Sequence, residues 1–372
     1  MRWLALTALA LVLAAPASAA TPQVHASAYL VEDASTGEVL ASSNAHAEVP
    51  IASITKLMTV LLALQHHRLT DVVTVDPRAA AVGESTADLE AGERLTVSDL
   101  VKAALIQSAN DAADALALSV SPSFPAFAVL MNDEAARLGL RDTHYVRPDG
   151  LDAPGEHSSA ADVTRLARLL MRNPFVRHTV AQETATIAGG QVLHTWDDLL
   201  GRVPGVFGVK TGHTDAAGWC QVAALRGPGG TVIYATILGE PSRSVRNADL
   251  TSLLLWGEAQ YRVVPVVQAG RVYARALLPY GESPLPLVAA RPLLAPARVG
   301  KPLTERVVAR RSVSLPVQKG AVLGRVEVWS GKRLVGRRDL VAARSVHEPG
   351  LLRRLGWYAG QTAHNLVHLF SP

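Results

Sequence analysis

The sequence predicts an α/β (α+β) protein. A larger domain builds an antiparallel sheet from strands at both of its ends, around a helical middle, and a small all-β domain follows it. Three observations predict this. A strand–turn–strand pattern opens the chain at 28–40, helical periodicity dominates 53–171, and strand patterns return from 205. After about residue 263 the texture changes again, with dense prolines from 279 to 302 and then short alternating strands.

The chain has 372 residues, enough for two domains. Hydrophobic residues reach 49 % and charged residues only 18 %, which supports a sizeable core and no long disordered tail. The net charge of +4 is scattered, since Arg310-Arg311 and Arg337-Arg338 are pairs rather than a stripe. No basic motif carries interleaved aromatics, so a nucleic-acid partner is not expected. Cys220 is the single cysteine, which rules out an internal disulfide and reads as a small core residue.

At the N-terminus Arg2 precedes an apolar run over 3–15, followed by Pro16-Ala17-Ser18-Ala19-Ala20. A charged start, a short apolar run and small residues in that order predict a signal peptide over 1–20, cleaved near Ala19 or Ala20. The run is too short for a comfortable membrane span.

Ala28-Tyr29-Leu30-Val31 is strand-like, Ser35-Thr36-Gly37 turns, and Glu38-Val39-Leu40 returns. Pro50 precedes a helix over 53–65 that carries Ile54, Leu57, Met58, Leu61 and Leu62. Thr96 caps a second helix over 97–107, and further helices are expected at 111–118, 125–138 and 160–171. One strand covers 205–212. A hairpin joins 219–225 to 231–238 across Gly227-Pro228-Gly229-Gly230, and a helix over 248–261 closes the domain. In the small domain, Arg325-Val326-Glu327-Val328-Trp329 and Arg333-Leu334-Val335 flank a Ser330-Gly331-Lys332 turn.

In the tail, Leu351, Leu355, Tyr358, Thr362, Leu366 and Leu369 share one helical stripe, with Arg353, Arg354, Gln361, His364 and His368 largely off it. An interfacial membrane helix fits this stripe and its arginines better than a helix docked on its own domain.

Three short motifs carry candidate chemistry. Ser53-Ile54-Thr55-Lys56 starts a helix, and a spacing of three puts both side chains on one face. A lysine whose pKa is lowered by partial burial and nearby positive charge can deprotonate a serine hydroxyl, and the helix N-terminus favours developing negative charge. Ser108-Ala109-Asn110 lies between two helices; its hydroxyl and amide could relay a proton and hold a substrate amide, or Asn110 could simply cap the next helix. Lys210-Thr211-Gly212 lies on a strand, where Lys210 and Thr211 could hold a carboxylate and Gly212 leaves room for a ligand backbone. Alone, each motif has an ordinary structural reading.

In this order, the three are the signature of penicillin-binding proteins and serine β-lactamases. The longer words Ala52-Ser53-Ile54-Thr55-Lys56-Leu57-Met58-Thr59, Leu105-Ile106-Gln107-Ser108-Ala109-Asn110-Asp111-Ala112-Ala113 and Gly208-Val209-Lys210-Thr211-Gly212-His213-Thr214 narrow the match. The chain resembles the D-alanyl-D-alanine carboxypeptidases, the low-molecular-mass penicillin-binding proteins, over nearly its whole mature length.

The resemblance implies a serine β-lactamase/penicillin-binding-protein-like domain over 21–262, a β-rich domain over 263–346 and an amphipathic membrane-associating helix over 347–372. It implies that Ser53 is acylated, that Lys56 is its base, and that Ser108 passes protons to a leaving D-alanine. It further implies that Asn110 holds the substrate amide and that Lys210 and Thr211, beside Gly212, grip the terminal carboxylate. The oxyanion hole falls on the backbone N–H groups of Ser53 and His213. Arg246 is the best positional match for a further carboxylate-side arginine, with Arg243 as competitor. The implied partners are peptidoglycan stem peptides, β-lactams as inhibitors and the outer face of the cytoplasmic membrane.

The sequence departs from the family at Ala109 for glycine, Arg147 for asparagine, Glu156 for histidine, and in the word Thr195-Trp196-Asp197-Asp198-Leu199-Leu200. A D,D-endopeptidase would use the same residues. A β-lactamase would need a dedicated deacylating glutamate, for which only Glu156 is a candidate. A non-catalytic wall binder would show decay in at least one motif, and none is seen. His66-His67 and the other histidines lack metal-ligand spacing, so neither metal nor cofactor is expected.

Overall fold

The computed structural model describes residues 3–11 and 20–359, which separate into two compact units. Residues 20–260 form the first. Its antiparallel five-stranded sheet runs in the order Glu38–Ser43, Ala28–Asp33, Val232–Glu240, Gly218–Arg226 and Val206–Thr214. Strands from both ends of the unit therefore meet at its centre, where Tyr234 pairs with Glu32 and Ala235 with Ala223.

The central strand Val232–Glu240 is buried almost throughout because helices cover both of its faces. Ile233 and Val31 meet Gly257 of helix Arg243–Ala259, where a Cβ would come within 2.9 Å of Ile233. Thr236 has the opposite parity, so it points to the other face. There its hydroxyl lies 2.6 Å from that of Thr164 on helix Ala160–Leu170.

The helical middle packs onto this sheet through a continuous core. Leu57, Met58 and Val60 of helix Lys56–His66 are fully buried. Helix Asn110–Val120 buries its first eight residues in succession, which four alanines permit by letting neighbours approach closely. Ser159 caps Ala160–Leu170 by accepting from the Asp162 N–H at 3.2 Å, and Thr96 caps Val97–Lys102 by accepting from the Asp99 N–H at 3.1 Å. Cys220 is fully buried and burial pushes its thiol up to about 12, in keeping with a core residue.

Several expected bounds shift for local reasons. The helix expected over 97–107 is α-helical only over Val97–Lys102 and widens into a π-turn over Ala103–Gln107. The helix expected from 248 starts at Arg243, because Ser242 accepts from the Val245 N–H and caps it there. The helix expected from 53 is preceded by a 3₁₀ turn, Ala52–Thr55, and the α-helix begins at Lys56.

The second unit combines the described residues 3–11 with those from Tyr261 onward. Its six-stranded antiparallel sheet runs Trp3–Leu11, Leu303–Arg310, Val322–Ser330, Arg333–Ala342, Leu285–Ala289, Val272–Ala276, and Tyr261–Val267 pairs separately with Leu293–Arg298. Leu303–Arg310 alternates buried and open positions, and Leu285, Leu287, Val326 and Leu340 are fully buried. The apolar stretch Trp3–Leu11, read from the sequence as part of a leader, pairs with Leu303–Arg310 at the sheet edge. Residues 12–19, with most of the expected cleavage site, lie outside the described residues.

A helix covers 351–359. Its start is tied to the same unit by Arg353 to Glu282 at 3.1 Å and by packing of Trp357 and Tyr358 on Tyr280. Leu351, Leu352 and Leu355 stay open. Thr362, Leu366 and Leu369 of the expected stripe lie outside the described residues. Among the described residues no single helix is long and apolar enough to cross a membrane.

The Thr164–Thr236 contact joins helix to sheet inside the core. Thr164→Val should leave the Thr236 hydroxyl without this partner and lower the unfolding free energy by about 1–3 kcal/mol in urea titration, and adding Thr236→Val should restore part of that loss.

Candidate active site

The three motifs, remote in sequence, meet at one cleft. Ser53 sits in the Ala52–Thr55 turn, one residue after Ala52, whose φ of +51° is unusual for an L-residue. The 3₁₀ turn still brings positions 53 and 56 together, with Lys56 Nζ 2.8 Å from Ser53 Oγ. The same Nζ donates to Asn110 Oδ1 and to the Asp149 carbonyl, both at 2.7 Å. An ammonium has three donors, and all three are used. Lys56 is fully buried, and that burial lowers its pKa to about 8, although Asp149, Asp114, Glu156 and Asp111 pull the other way.

Asn110 does not cap the helix it begins. The cap position is Ala109, while the Asn110 amide spans from Lys56 to the Gly83 carbonyl, to which Nδ2 donates at 3.0 Å. Ser108 follows the π-turn with a left-handed backbone, φ +63°. It accepts from Lys210 Nζ at 2.8 Å, and Lys210 also donates to the Thr211 carbonyl at 2.9 Å. Lys210 is 2 % exposed, and burial together with the charge of Lys56 holds its pKa well below the usual lysine range.

Lys210, Thr211, Gly212 and His213 lie on Val206–Thr214. Gly212 lines the cleft and also makes room for the chain itself. A Cβ there would lie 2.8 Å from the Ile51 carbonyl oxygen and 3.2 Å from Ser53 N, so the glycine lets the strand seat the nucleophile turn. Gly150 does the same from the other side. Its φ is +78° and a Cβ would fall 2.2 Å from the Ala52 carbonyl oxygen.

A cleft of roughly 440 Å³ opens here, and Ser53, Ser108, Thr211, Gly212, His213 and Arg246 are among its lining residues. His213 packs against Trp219 with ring centres 4.1 Å apart and planes tilted by 33°, and the Arg246 guanidinium lies 5.5 Å from the centre of the same indole. Arg246 is buried and held by Asn247 and by Asp198 at 3.3 Å, and burial lowers its pKa. Arg243 instead forms a two-pronged pair with Asp198, 2.6 Å on each arm, and lies over Trp196. Of the two arginines, Arg246 faces the cleft and Arg243 anchors the loop beside it.

The cleft is also lined by Glu84, Ser85 and Trp219, which sequence reasoning did not single out, and by Trp196, noted there only as part of the altered word before the third motif. The polar run Gly83-Glu84-Ser85-Thr86 was the available signal for the first two. Ser85 is fixed by the Ser108 segment: its hydroxyl donates to the Gln107 carbonyl at 3.1 Å and its carbonyl accepts from the Asn110 N–H at 2.7 Å.

Of the departures noted in the sequence, Trp196 lines the cleft, whereas Arg147 and Glu156 do not. Arg147 pairs through two nitrogens with Asp149, at 3.0 and 2.7 Å, and so steadies the residue whose carbonyl receives Lys56. Glu156 accepts from Thr55 Oγ1 at 2.9 Å and from the Arg147 N–H at 3.1 Å. Burial pushes its pKa up to about 7. It is not among the lining residues of the cleft, so it braces the nucleophile turn rather than facing a substrate. Asp197 and Asp198 of the altered word hold Gln221 at 2.8 Å and the two arginines.

Residues 15–241 match the family described as D-alanyl-D-alanine carboxypeptidase. The chain belongs to that family. Residues 261–348 match the family described as penicillin-binding protein 5, C-terminal domain. The carboxypeptidase is 31 % identical to D-alanyl-D-alanine carboxypeptidase DacD of Salmonella typhimurium over 91 % of this chain and 90 % of that one. It is similar to the crystal structure of penicillin binding protein 6B from Escherichia coli, with a TM-score of 0.65 and 28 % identity over 88 % of this chain and 98 % of that one. It is also similar to penicillin-binding protein D2 from Listeria monocytogenes in its ampicillin-bound form, with a TM-score of 0.58 and 30 % identity over 63 % of this chain and 99 % of that one. The fold is that of the penicillin-binding proteins, and the enzyme is a serine-type D-Ala-D-Ala carboxypeptidase.

Gly150→Ala should force the Ala52 carbonyl and the Ser53 turn apart. The expected result is a loss of more than about 1 kcal/mol in urea unfolding, together with slower D-alanine release.

Proposed function

We propose that the carboxypeptidase removes the terminal D-alanine from peptidoglycan stem pentapeptides through an acyl-enzyme on Ser53. The observation that carries this reading is the 2.8 Å contact of Ser53 Oγ with a buried lysine whose pKa is near 8. In its neutral form Lys56 takes the Ser53 proton while Oγ attacks the carbonyl carbon of the D-Ala–D-Ala bond. The carbonyl oxygen gains negative charge beside the backbone N–H groups of Ser53 and His213. The C–N bond then breaks as Ser108, hydrogen-bonded to Lys210, gives its proton to the departing amine and takes up the one that Lys56 removed from Ser53, which returns Lys56 to its neutral form. Water, deprotonated by Lys56, attacks the ester carbonyl; the acyl C–Oγ bond breaks and the Lys56 ammonium returns that proton to Ser53 Oγ.

Asn110 holds the substrate amide. Thr211, Arg246 and the one Lys210 donor not used within the protein receive the terminal carboxylate. All of the acid–base and nucleophilic groups belong to the chain. β-Lactams acylate Ser53 in the same way and leave slowly, because their leaving group stays tethered. The engagement of Glu156 by Thr55 and Arg147 argues against a β-lactamase-type deacylation.

We also place the protein outside the cytoplasm, exported by the leader over 1–20 and held at the outer face of the cytoplasmic membrane by the tail over 347–372. The charged start and short apolar run support export. The open Leu351, Leu352 and Leu355 support membrane contact.

Free D-alanine released from a diacyl-Lys-D-Ala-D-Ala tripeptide tests the reading. Wild type should release it, and Ser53→Ala should fall by at least about a thousandfold. Capture of fluorescent penicillin by wild type without D-alanine release would redirect the proposal to cross-link cleavage. Loss of both in a folded protein would end it. Because the neutral lysine is the active form, kcat/KM should rise with pH up to about 8 and level above it; a rate that is flat from pH 6 to 9 would remove Lys56 as the base.

A further inference from the structure

Outside the catalytic cleft, three potential metal ligands meet at one end of the central strand Val232–Glu240. They are His25, Glu240 and Asp249, and a ligand atom of each lies within 4.8 Å of the others. They come from the segment before the first strand of the sheet, from the last residue of the central strand, and from an early turn of helix Arg243–Ala259. His25 is held against Asp249 twice. Its backbone N–H donates to Asp249 Oδ2 at 2.8 Å, and its Nδ1 lies 2.9 Å from the same oxygen.

Glu240 points most directly to a ligand. It is 1 % exposed, and neither carboxylate oxygen makes a hydrogen bond of ordinary geometry among the described residues, its near polar neighbours being the Ala26 N–H and the Asp249 carboxylate. A carboxylate buried without a donor is costly unless a proton or a cation neutralises it.

We propose that His25, Glu240 and Asp249 bind one divalent cation of the zinc class, through an imidazole nitrogen and an oxygen of each carboxylate. One nitrogen and two carboxylates suit zinc and its transition-metal neighbours. Magnesium and calcium favour larger, all-oxygen shells. Water completes the shell on the side where His25 is open to solvent. The sequence suggested no metal, because its histidines lack ligand spacing; these ligands converge from positions 25, 240 and 249 only in the folded chain.

The cation fastens the segment before the first strand to the end of the sheet. Glu240 pairs in register with Trp219, which packs against His213 in the wall of the cleft. The bound metal thus steadies the strand ends behind the active site without entering it.

The test is calorimetric titration of the chelator-stripped full chain with zinc chloride, alongside thermal unfolding. Wild type should bind one equivalent with a rise in Tm. His25→Ala, a change at an open position, and Glu240→Gln should each raise Kd at least about tenfold and remove the rise. Circular dichroism checks that both variants fold. Absence of one-equivalent binding to wild type would overturn the proposal, as would equal binding by both variants. If wild type binds no zinc and Glu240→Gln is the more stable protein at pH 8, Glu240 and Asp249 share a proton and no metal site exists.

Discussion

The removal of Lys56 from water is the constraint on which the rest of the site depends. In water a lysine at neutral pH is almost wholly protonated and cannot accept a proton from serine. Burial brings Lys56 to about 8, and its three bonds to Ser53, Asn110 and Asp149 keep the buried amine satisfied in either protonation state. Lys210 stands on the other side of the same interior, also buried, with the Ser108 hydroxyl as its partner. Burial lowers the pKa of Lys210, and the charge of Lys56 lowers it further. The core that encloses them, built from helices Lys56–His66 and Asn110–Val120 against the sheet, is thereby part of the chemistry.

Backbone geometry holds the nucleophile in that environment. Ala52 takes a positive φ just before Ser53, and Ser108 takes one just before the Asn110 helix. Such conformations cost energy in L-residues and persist only where the surroundings enforce them. Here the enforcing surfaces are two glycines, Gly150 and Gly212, that let neighbouring backbone close on the turn from two sides. Thr55 adds a side-chain tether to Glu156. The serine is thus placed by contacts of its turn with Gly150, Gly212 and Glu156, all remote from it in sequence.

Two of the positions where the sequence departs from its family, Arg147 and Glu156, belong to a hydrogen-bonded layer behind the reactive groups. Arg147, Asp149, Glu156 and Thr55 are linked by hydrogen bonds to one another and, through the Asp149 carbonyl, to Lys56. On the opposite wall Asp198 gathers Arg243, Arg246 and Asn247, and Trp196 and Trp219 supply flat surfaces for the two guanidiniums. Both groups keep buried or half-buried charge paired, which a site with two buried lysines requires.

The sequence by itself determined the family, the order of elements and the three motifs. Each of these is written in local spacing: a serine three residues before a lysine, a hairpin with glycines between two apolar runs, a cap before a helix. It also gave Arg246 as the candidate arginine. Only the tertiary structure decided what spacing cannot encode. It showed that Gly212 clears space for the Ser53 turn, that Asn110 reaches Lys56 instead of capping its own helix, and that Arg243 anchors Asp198 while Arg246 faces the cleft. The cleft residues Glu84, Ser85, Trp196 and Trp219, and the cluster of His25 with Glu240 and Asp249, were hidden for the same reason. Local patterns record how a segment folds on itself, whereas burial, pKa and convergence of distant residues exist only once the chain has packed.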